Sequence, residues 1–428
     1  MKRIATITAA ILVFSAGCAK SNPPDGNTIY NPDPNHLWNR LNVTLFERTA
    51  QDGKKYGLNE LDILYWYRTT NLLTGASHQQ ALSVLDEFIN THGEKLIQDP
   101  LKKALLQRDL WALFDWVGGP TPYGRAQFPK ARRELETRLA VVIRRLELTA
   151  NEIASLPDNY ELAEKDHLPD LPRGLFQTNG DWVNLAPDPN GFEEIAPIHD
   201  HSFGGRSAFL VMLRLPGGRQ AAISYLDKLN TFEHFWIYQT NTSPFVTTNS
   251  PREILTLNTN LPEFPANTEW ALVRRMLVID TAGNIEPTRI IESIQLRRYL
   301  AMPPQKFYEF QMDRQQKCAL REVAKDEKDF LFVHFMGLGI DPFEWKSDDS
   351  QVPDSSTFKS TVLESCRTCH SAPGIYSVNA YVGLFHTHSI EPSQLFNSDA
   401  NREMDATINW KREQYSWGLL QGLWHQSN

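Results

Sequence analysis

Three residues with reactive side chains stand close together near the C-terminal end of the sequence. Cys366, Cys369 and His370 form the pattern C-x-x-C-H within the segment LESCRTCHSAP. This pattern is the attachment signature of a c-type haem. Each thiol can add to a vinyl group at one edge of the porphyrin, and the histidine that follows can ligate the iron. The spacing therefore predicts one covalent haem c, with Cys366 and Cys369 as thioether anchors and His370 as the proximal iron ligand.

Cysteine pairs at this spacing also form disulfides, redox-active dithiols or half of a zinc site. A structural zinc site needs two further ligands, and the sequence contains only four cysteines and no second C-x-x-C. A thioredoxin-like dithiol would belong to a βαβ unit, whereas the preceding TFKSTVLESC has a helical pattern. Haem attachment is therefore the preferred interpretation, and a disulfide is the main alternative.

The opening residues have the pattern of an export signal. Lys2 and Arg3 precede an apolar run, residues 4–14, which is too short to cross a bilayer. Small residues beginning at Ser15 then lead to Cys18. This junction resembles a bacterial lipobox, whose cysteine is lipidated, although Ser15 stands where that family usually has Leu. Residues 1–18 are thus predicted to be a lipoprotein-type signal with Cys18 as the lipidation site.

Composition narrows the class of protein and its partners. The chain has 428 residues, a net charge of −8 and 41% apolar residues, so it can form cores but is a poor candidate for binding nucleic acid. The four cysteines are too few for a disulfide scaffold. One of them, Cys318, is predicted to be a buried, small apolar residue.

The patterns predict an α+β multidomain chain. Leu135, Leu139, Val142 and Leu146 form one apolar stripe of a long helix, and Thr149 with Glu152 forms a capping box, so the N-terminal part is expected to be helical. The predicted segments are a signal (1–18), a flexible tether (19–35), a helical domain (36–170), an α+β domain (171–345), a linker (346–356) and a small all-α haem unit (357–428).

The middle domain is expected to contain antiparallel strands. In residues 209–215, apolar residues alternate with other residues, which indicates a strand. After a Pro-Gly-Gly turn, residues 220–226 are predicted to return as the second strand of a hairpin. The further predictions are a strand at 234–239, a hairpin at 270–280 and 290–296, and helical or mixed structure at 309–320 and 327–334.

Two polar groups in this domain are weaker candidates for a site. His199, Asp200 and His201 carry metal-ligating groups, and Arg206 follows a Gly-rich loop that could bind an anion. Adjacent residues rarely point in one direction, so an ordinary polar loop is the preferred interpretation.

The second group consists of arginines, and it is expected to lie on solvated strand faces or to pair with acidic residues, with a docking patch as the alternative. Its members are Arg274, Arg275, Arg297 and Arg298.

The C-terminal unit resembles a small class I cytochrome c, with a helix, the C-x-x-C-H turn, a loop and an aromatic-rich terminal helix at about 403–423. The resemblance covers only the last part of the chain, and residues 36–350 resemble no family. In that family the sixth iron ligand is usually a methionine after the haem motif, which here implies Met404. His386 and His388 are rivals, and a bis-histidine iron would have a lower potential.

These features predict an exported, lipid-anchored monohaem cytochrome that transfers electrons in the cell envelope. It would face the periplasm, with the outer membrane favoured over the inner, and would dock redox partner proteins. Whether the protein is also an enzyme stays open. The alternatives are a haem enzyme or ligand sensor with an open sixth iron position, and a binding or structural lipoprotein with a Cys366–Cys369 disulfide.

Overall fold

A helical layer and an antiparallel sheet form the body of the protein. The computed structural model describes residues 28–49, 53, 55–57, 69–119, 127–186, 196, 199, 205–229, 231–232, 236–240, 253–300, 305–329, 343, 360–361, 363–364, 370, 374–375, 377, 396–397 and 400–426. The predicted α+β class is therefore confirmed, as a mixture of helices and antiparallel strands. Among these residues no helix is both long and apolar enough to cross a membrane.

Six α-helices precede the main sheet in the described part of the chain. They are α1 (Leu37–Phe46), α2 (Gly75–Asn90), α3 (Pro100–Gly118), α4 (Pro129–Arg145), α5 (Ala150–Ala154) and α6 (Asn159–Lys165). Asp99 caps α3 by accepting from the backbone N–H groups of Leu101 and Lys102. Thr149 and Glu152 form the predicted capping box of α5. The stripe predicted on α4 is buried.

Seven strands form the main sheet, with neighbouring strands antiparallel. They are β3 (Val183–Ala186), β4 (Ser207–Arg214), β7 (Glu269–Ile279), β8 (Ile285–Tyr299), β9 (Gln305–Asp313), β10 (Ala319–Glu322) and β13 (Phe396–Asn397). Their order across the sheet is β10-β9-β8-β7-β4-β3-β13. The predicted hairpin of β7 and β8 is confirmed, and Gly283 has φ +81° in its turn, where a Cβ would be strained.

Among the described residues, three two-stranded pairs accompany the sheet. They are β1 (Arg48–Thr49) with β2 (Lys55–Tyr56), β5 (Trp236–Thr240) with β6 (Glu253–Leu257), and β11 (Lys328–Asp329) with β12 (Ser360–Thr361). The strand predicted at 234–239 thus corresponds to β5.

The two faces of the sheet belong to two hydrophobic cores, as the period-2 alternation of strand side chains requires. On β4, Ala208 and Leu210 lie in the larger core with the helices α1 to α6, whereas Phe209 and Leu213 lie in the smaller core. The smaller core is covered by α7 (Gly218–Leu229) and also contains Trp270, Tyr299 and Ile375.

Two predictions for this region were wrong. Residues 220–226 do not return as a strand but lie in α7, whose buried residues Ala222, Tyr225, Leu226 and Leu229 follow a helical spacing. Residues 309–320 are not helical, since they belong mainly to β9 and β10.

The C-terminal helices α8 (Ala400–Glu413) and α9 (Tyr415–Gln426) pack into the larger core. The rings of Trp417 and Trp111 are 5.7 Å apart, and the indole N–H of Trp424 donates to the carbonyl of Ala140 at 2.8 Å. The single terminal helix predicted from the sequence is thus two helices, separated at Gln414. A separate cytochrome-like unit is not confirmed, because these helices complete a core that the N-terminal helices began.

Buried charges also connect the helices to the sheet. Glu292 of β8 forms ion pairs with Arg108 of α3 at 2.9 Å and with Arg274 of β7 at 3.2 Å. A second buried pair joins Asp109 to Arg314. Leaving one of these ions without its partner would be strongly destabilising, so the helical layer and the sheet are held in one relative position.

Candidate haem-binding site

Of the residues predicted to hold the haem, His370 and Met404 belong to the part of the chain that the structure describes. Cys366, Cys369, His386 and His388 lie outside the described residues, as does Cys18. The site is therefore described from His370 and the side chains that surround it.

The imidazole of His370 is held by a short backbone turn. Its Nδ1 lies 2.7 Å from the carbonyl oxygen of Ser377, and its own carbonyl accepts from the Gln305 side chain at 2.7 Å. In metal-binding histidines the second ring nitrogen usually donates to a carbonyl or carboxylate, which sets the tautomer and the ring orientation. With Nδ1–H directed at Ser377, Nε2 is the nitrogen that can ligate a metal.

The turn is fixed to the sheet through Ser377, which is fully buried. Its hydroxyl lies within hydrogen-bonding distance of the Tyr299 hydroxyl, and its carbonyl also accepts from the Arg297 guanidinium at 3.4 Å. The amide of Ser377 donates to the carbonyl of Gly374 at 3.1 Å, closing the turn. Two residues of β8 therefore position the carbonyl that orients His370.

Gly374 is required where this turn meets the Glu263 carboxylate. Glu263 Oε1 accepts from the amide of Ile375 at 2.9 Å and from its neighbour Phe264 at 2.8 Å. Gly374 has φ +52°, and a Cβ there would lie 1.7 Å from the same Oε1. A side chain at this position would displace Glu263 and with it the turn.

A second imidazole, that of His199, lies opposite His370. The planes of the two rings are inclined by only 7°, and their centroids are 6.5 Å apart. The amide of His199 donates to the carbonyl of Ala196 at 2.9 Å, and its ring lies 5.5 Å from the ring of Phe209 on β4. The sequence pattern singled out His199 with two neighbours, but nothing in it indicated a pairing with His370.

The electrostatic surroundings keep both imidazoles neutral. Desolvation by the surrounding protein, reinforced by the positive charges of Arg297 and Arg274, lowers the pKa of His199 to about 4. Desolvation and then Arg297 also lower the pKa of His370, against the opposing effect of its hydrogen bond to Ser377. Neutral imidazole is the form that binds metal ions, so both rings are in their ligating form at neutral pH.

Met404 lies in a different environment. It is buried on α8 within the larger core, and its sulfur is 3.7 Å from a guanidinium nitrogen of Arg275. Ile375, in the turn beside His370, belongs to the smaller core instead. The structure thus brings His199, and not Met404, next to His370 among the described residues.

The donors that the structure brings together here are two imidazoles, those of His199 and His370. Among the described residues no group of three or more His, Cys, Asp or Glu side chains could hold a metal ion. A haem iron needs only one or two protein ligands, because the porphyrin supplies the others. Leu363, which opens the motif segment, lines a crevice with Arg297 and Phe307, so the chain enters the motif against the same part of the sheet.

Comparison of the chain with protein-family models, with curated proteins and with solved structures found no match.

Proposed function

We propose that this protein is a monohaem c-type cytochrome that transfers electrons in the bacterial cell envelope. The observation that carries the proposal is the C-x-x-C-H motif, whose histidine is oriented by the Ser377 carbonyl. Cys366 and Cys369 are the thioether anchors, and His370 is the proximal ligand. The same C-terminal segment resembles class I cytochromes c, although its last helices pack with the rest of the chain.

A bound haem supplies one-electron chemistry, and the protein tunes it. The Ser377 carbonyl accepts a hydrogen bond from Nδ1–H of His370, which increases the basicity of the ligating nitrogen. Tyr299 and Gln305 restrict the movement of the turn, and Arg297 places a positive charge beside it. A rigid, partly desolvated surrounding lowers the reorganisation that accompanies a change of charge.

The N-terminal pattern supports an envelope location. In bacteria, haem is attached to c-type cytochromes outside the cytoplasm, and an export signal ending at Cys18 would carry the chain there. Lipidation would tether the chain to a membrane, with the outer membrane favoured. Its partners would then be redox proteins of the same compartment.

The test is a pyridine haemochrome spectrum of protein produced with its own signal and a cytochrome c maturation system. We expect a c-type spectrum that resists extraction of haem with acid and organic solvent. The double substitution Cys366→Ala, Cys369→Ala should abolish it. Cys318→Ala is the matched control, because Cys318 is a buried cysteine outside the motif, and it should leave the covalent haem in place.

A wild-type protein without covalent haem would contradict the proposal. A disulfide between Cys366 and Cys369, found by mass spectrometry under those conditions, would favour a binding or structural lipoprotein instead.

A further inference from the structure

We propose that His199 is the second axial ligand of the haem iron, so that the iron is held between His199 and His370. This inference rests on the proposed function, since it requires a haem attached at the C-x-x-C-H motif. It adds a ligand from the middle of the chain that is neither Met404 nor one of the histidines following the motif.

The separation of the two rings is the one expected for two imidazoles that share one metal ion. Metal–imidazole bonds are about 2 Å long and the ring has a radius of about 1.1 Å, so two such ligands have centroids about 6.3 Å apart. The observed separation is 6.5 Å, with the ring planes 7° from parallel. Direct contact between aromatic rings covers about 4.5–7 Å between centroids, so this pair lies near the long end of that range.

Both histidines are positioned by the same face of the sheet. The ring of His199 packs near Phe209 of β4, whereas His370 is held by the Ser377 turn that Arg297 and Tyr299 of β8 support. Phe209 and Tyr299 both belong to the smaller core. Two segments that are distant in sequence are therefore anchored to one rigid support, as preorganised metal ligation requires.

A second imidazole would have two consequences for function. It would fill the sixth coordination position, which favours electron transfer over ligand binding or peroxide chemistry. It would also place the potential below that of a His/Met cytochrome, because methionine ligation raises the potential.

The experiment compares full-length His199→Ala with wild-type protein, both isolated with covalent haem. We expect the wild-type ferric protein to be low-spin and its ferrous form to resist carbon monoxide. In His199→Ala most of the ferric haem should become high-spin, the ferrous form should bind carbon monoxide, and added imidazole should restore the low-spin spectrum. His199→Met should stay six-coordinate with a raised midpoint potential.

Two control variants establish that the spectral change is specific to His199. His78 is also buried, with Nδ1 2.7 Å from the carbonyl of Leu72, but it lies on α2, so His78→Ala should keep the wild-type spectrum. Met404→Leu should keep it as well. A high-spin Met404→Leu beside a low-spin His199→Ala would overturn the assignment.

The outcomes also distinguish this inference from the proposed function. The pyridine haemochrome does not depend on the axial ligands, so its absence in wild-type protein contradicts the haem itself. A normal haemochrome with an unchanged low-spin spectrum in His199→Ala contradicts only the role of His199. If His199→Ala fails to accumulate, near-infrared magnetic circular dichroism of the wild-type ferric protein decides, because a methionine-type charge-transfer band would overturn the bis-histidine assignment.

Discussion

Arg297 connects the candidate site to the sheet that supports it. Its guanidinium donates to the Ser377 carbonyl, the same oxygen that lies 2.7 Å from Nδ1 of His370. After desolvation, its positive charge has the largest effect on both histidines of the site, lowering the pKa of each. Arg297 is 8% exposed, so its charge is poorly screened by solvent.

We expect Arg297→Met to lower the midpoint potential of the haem. Removal of a nearby positive charge makes the oxidised, more positive state easier to reach. A spectroelectrochemical titration measures the change, and Arg40→Met is the control, because Arg40 pairs with Glu87 on the helical layer with 42% of its side chain exposed. An equal or raised potential in Arg297→Met would contradict the placement of this charge beside the haem.

The residues of the site differ in how far the sequence alone could predict them. The C-x-x-C-H motif contains both thiols and the imidazole within five consecutive residues, so the motif alone identifies His370 as a candidate iron ligand. The pairing of Arg274 with Glu292 and of Arg298 with Glu269 agrees with the prediction for the strand arginines. His199 could not be predicted as its partner, because only the tertiary structure brings its ring within 6.5 Å of the ring of His370, which is distant in the sequence.

Among the elements, α9 makes contacts that the sequence did not predict, since it packs against the N-terminal helices. Its Leu420 is fully buried and belongs to the larger core together with Trp417 and Trp424. The helix thus contributes to the stability of the helical layer as much as to its own segment.

We expect Leu420→Ala to lower the free energy of unfolding by about 2–5 kcal/mol, the usual effect of a truncated, fully buried leucine. Tyr415→Ala on the same helix is the control, since Tyr415 is 58% exposed and its loss should stay within about 0.5 kcal/mol. Chemical denaturation followed by circular dichroism measures both. A Leu420→Ala loss as small as that of Tyr415→Ala would mean that α9 does not pack as described.

Local signals predicted the elements that have them. The capping box of Thr149 correctly predicted α5. In contrast, α7 was missed because it begins at Gly218, directly after Gly217, and two consecutive glycines are also typical of a hairpin turn. The segment of β9 and β10 was misassigned because its polar residues obscure the alternation of apolar and polar residues that indicates a strand. Its strand structure depends on the pairing of β9 with β8 and of β10 with β9.

At the scale of the whole molecule, the helical layer meets the sheet next to a carboxyl group whose pKa is raised. Glu147 follows α4, and the adjacent Leu148 exchanges backbone hydrogen bonds with Ile279 and Thr281. Desolvation by burial raises the pKa of Glu147 from 4.5 to about 7, although the Arg144 pair opposes it.

The contribution of Glu147 to the free energy of unfolding should therefore fall as the pH rises from about 4.5 to about 7. In this window the folded state holds a proton on Glu147 that the unfolded state has released, so deprotonation favours unfolding. Glu147→Gln should remove this part of the pH dependence in urea unfolding. Glu161→Gln is the control, because its exposed carboxylate has a pKa lowered by Lys165; a Glu147→Gln profile parallel to wild type would refute the prediction.

The packing of α9 against α3 and α4 also constrains the order in which the protein can mature. A ribosome adds about 5–20 residues per second, so α9 emerges on the order of tens of seconds after α4. During that interval Trp111 and the backbone around Ala140 lack the indole partners they have in the finished molecule. The nascent N-terminal helices therefore stay incompletely packed for most of synthesis, which is what the proposed export of an unfolded chain would require.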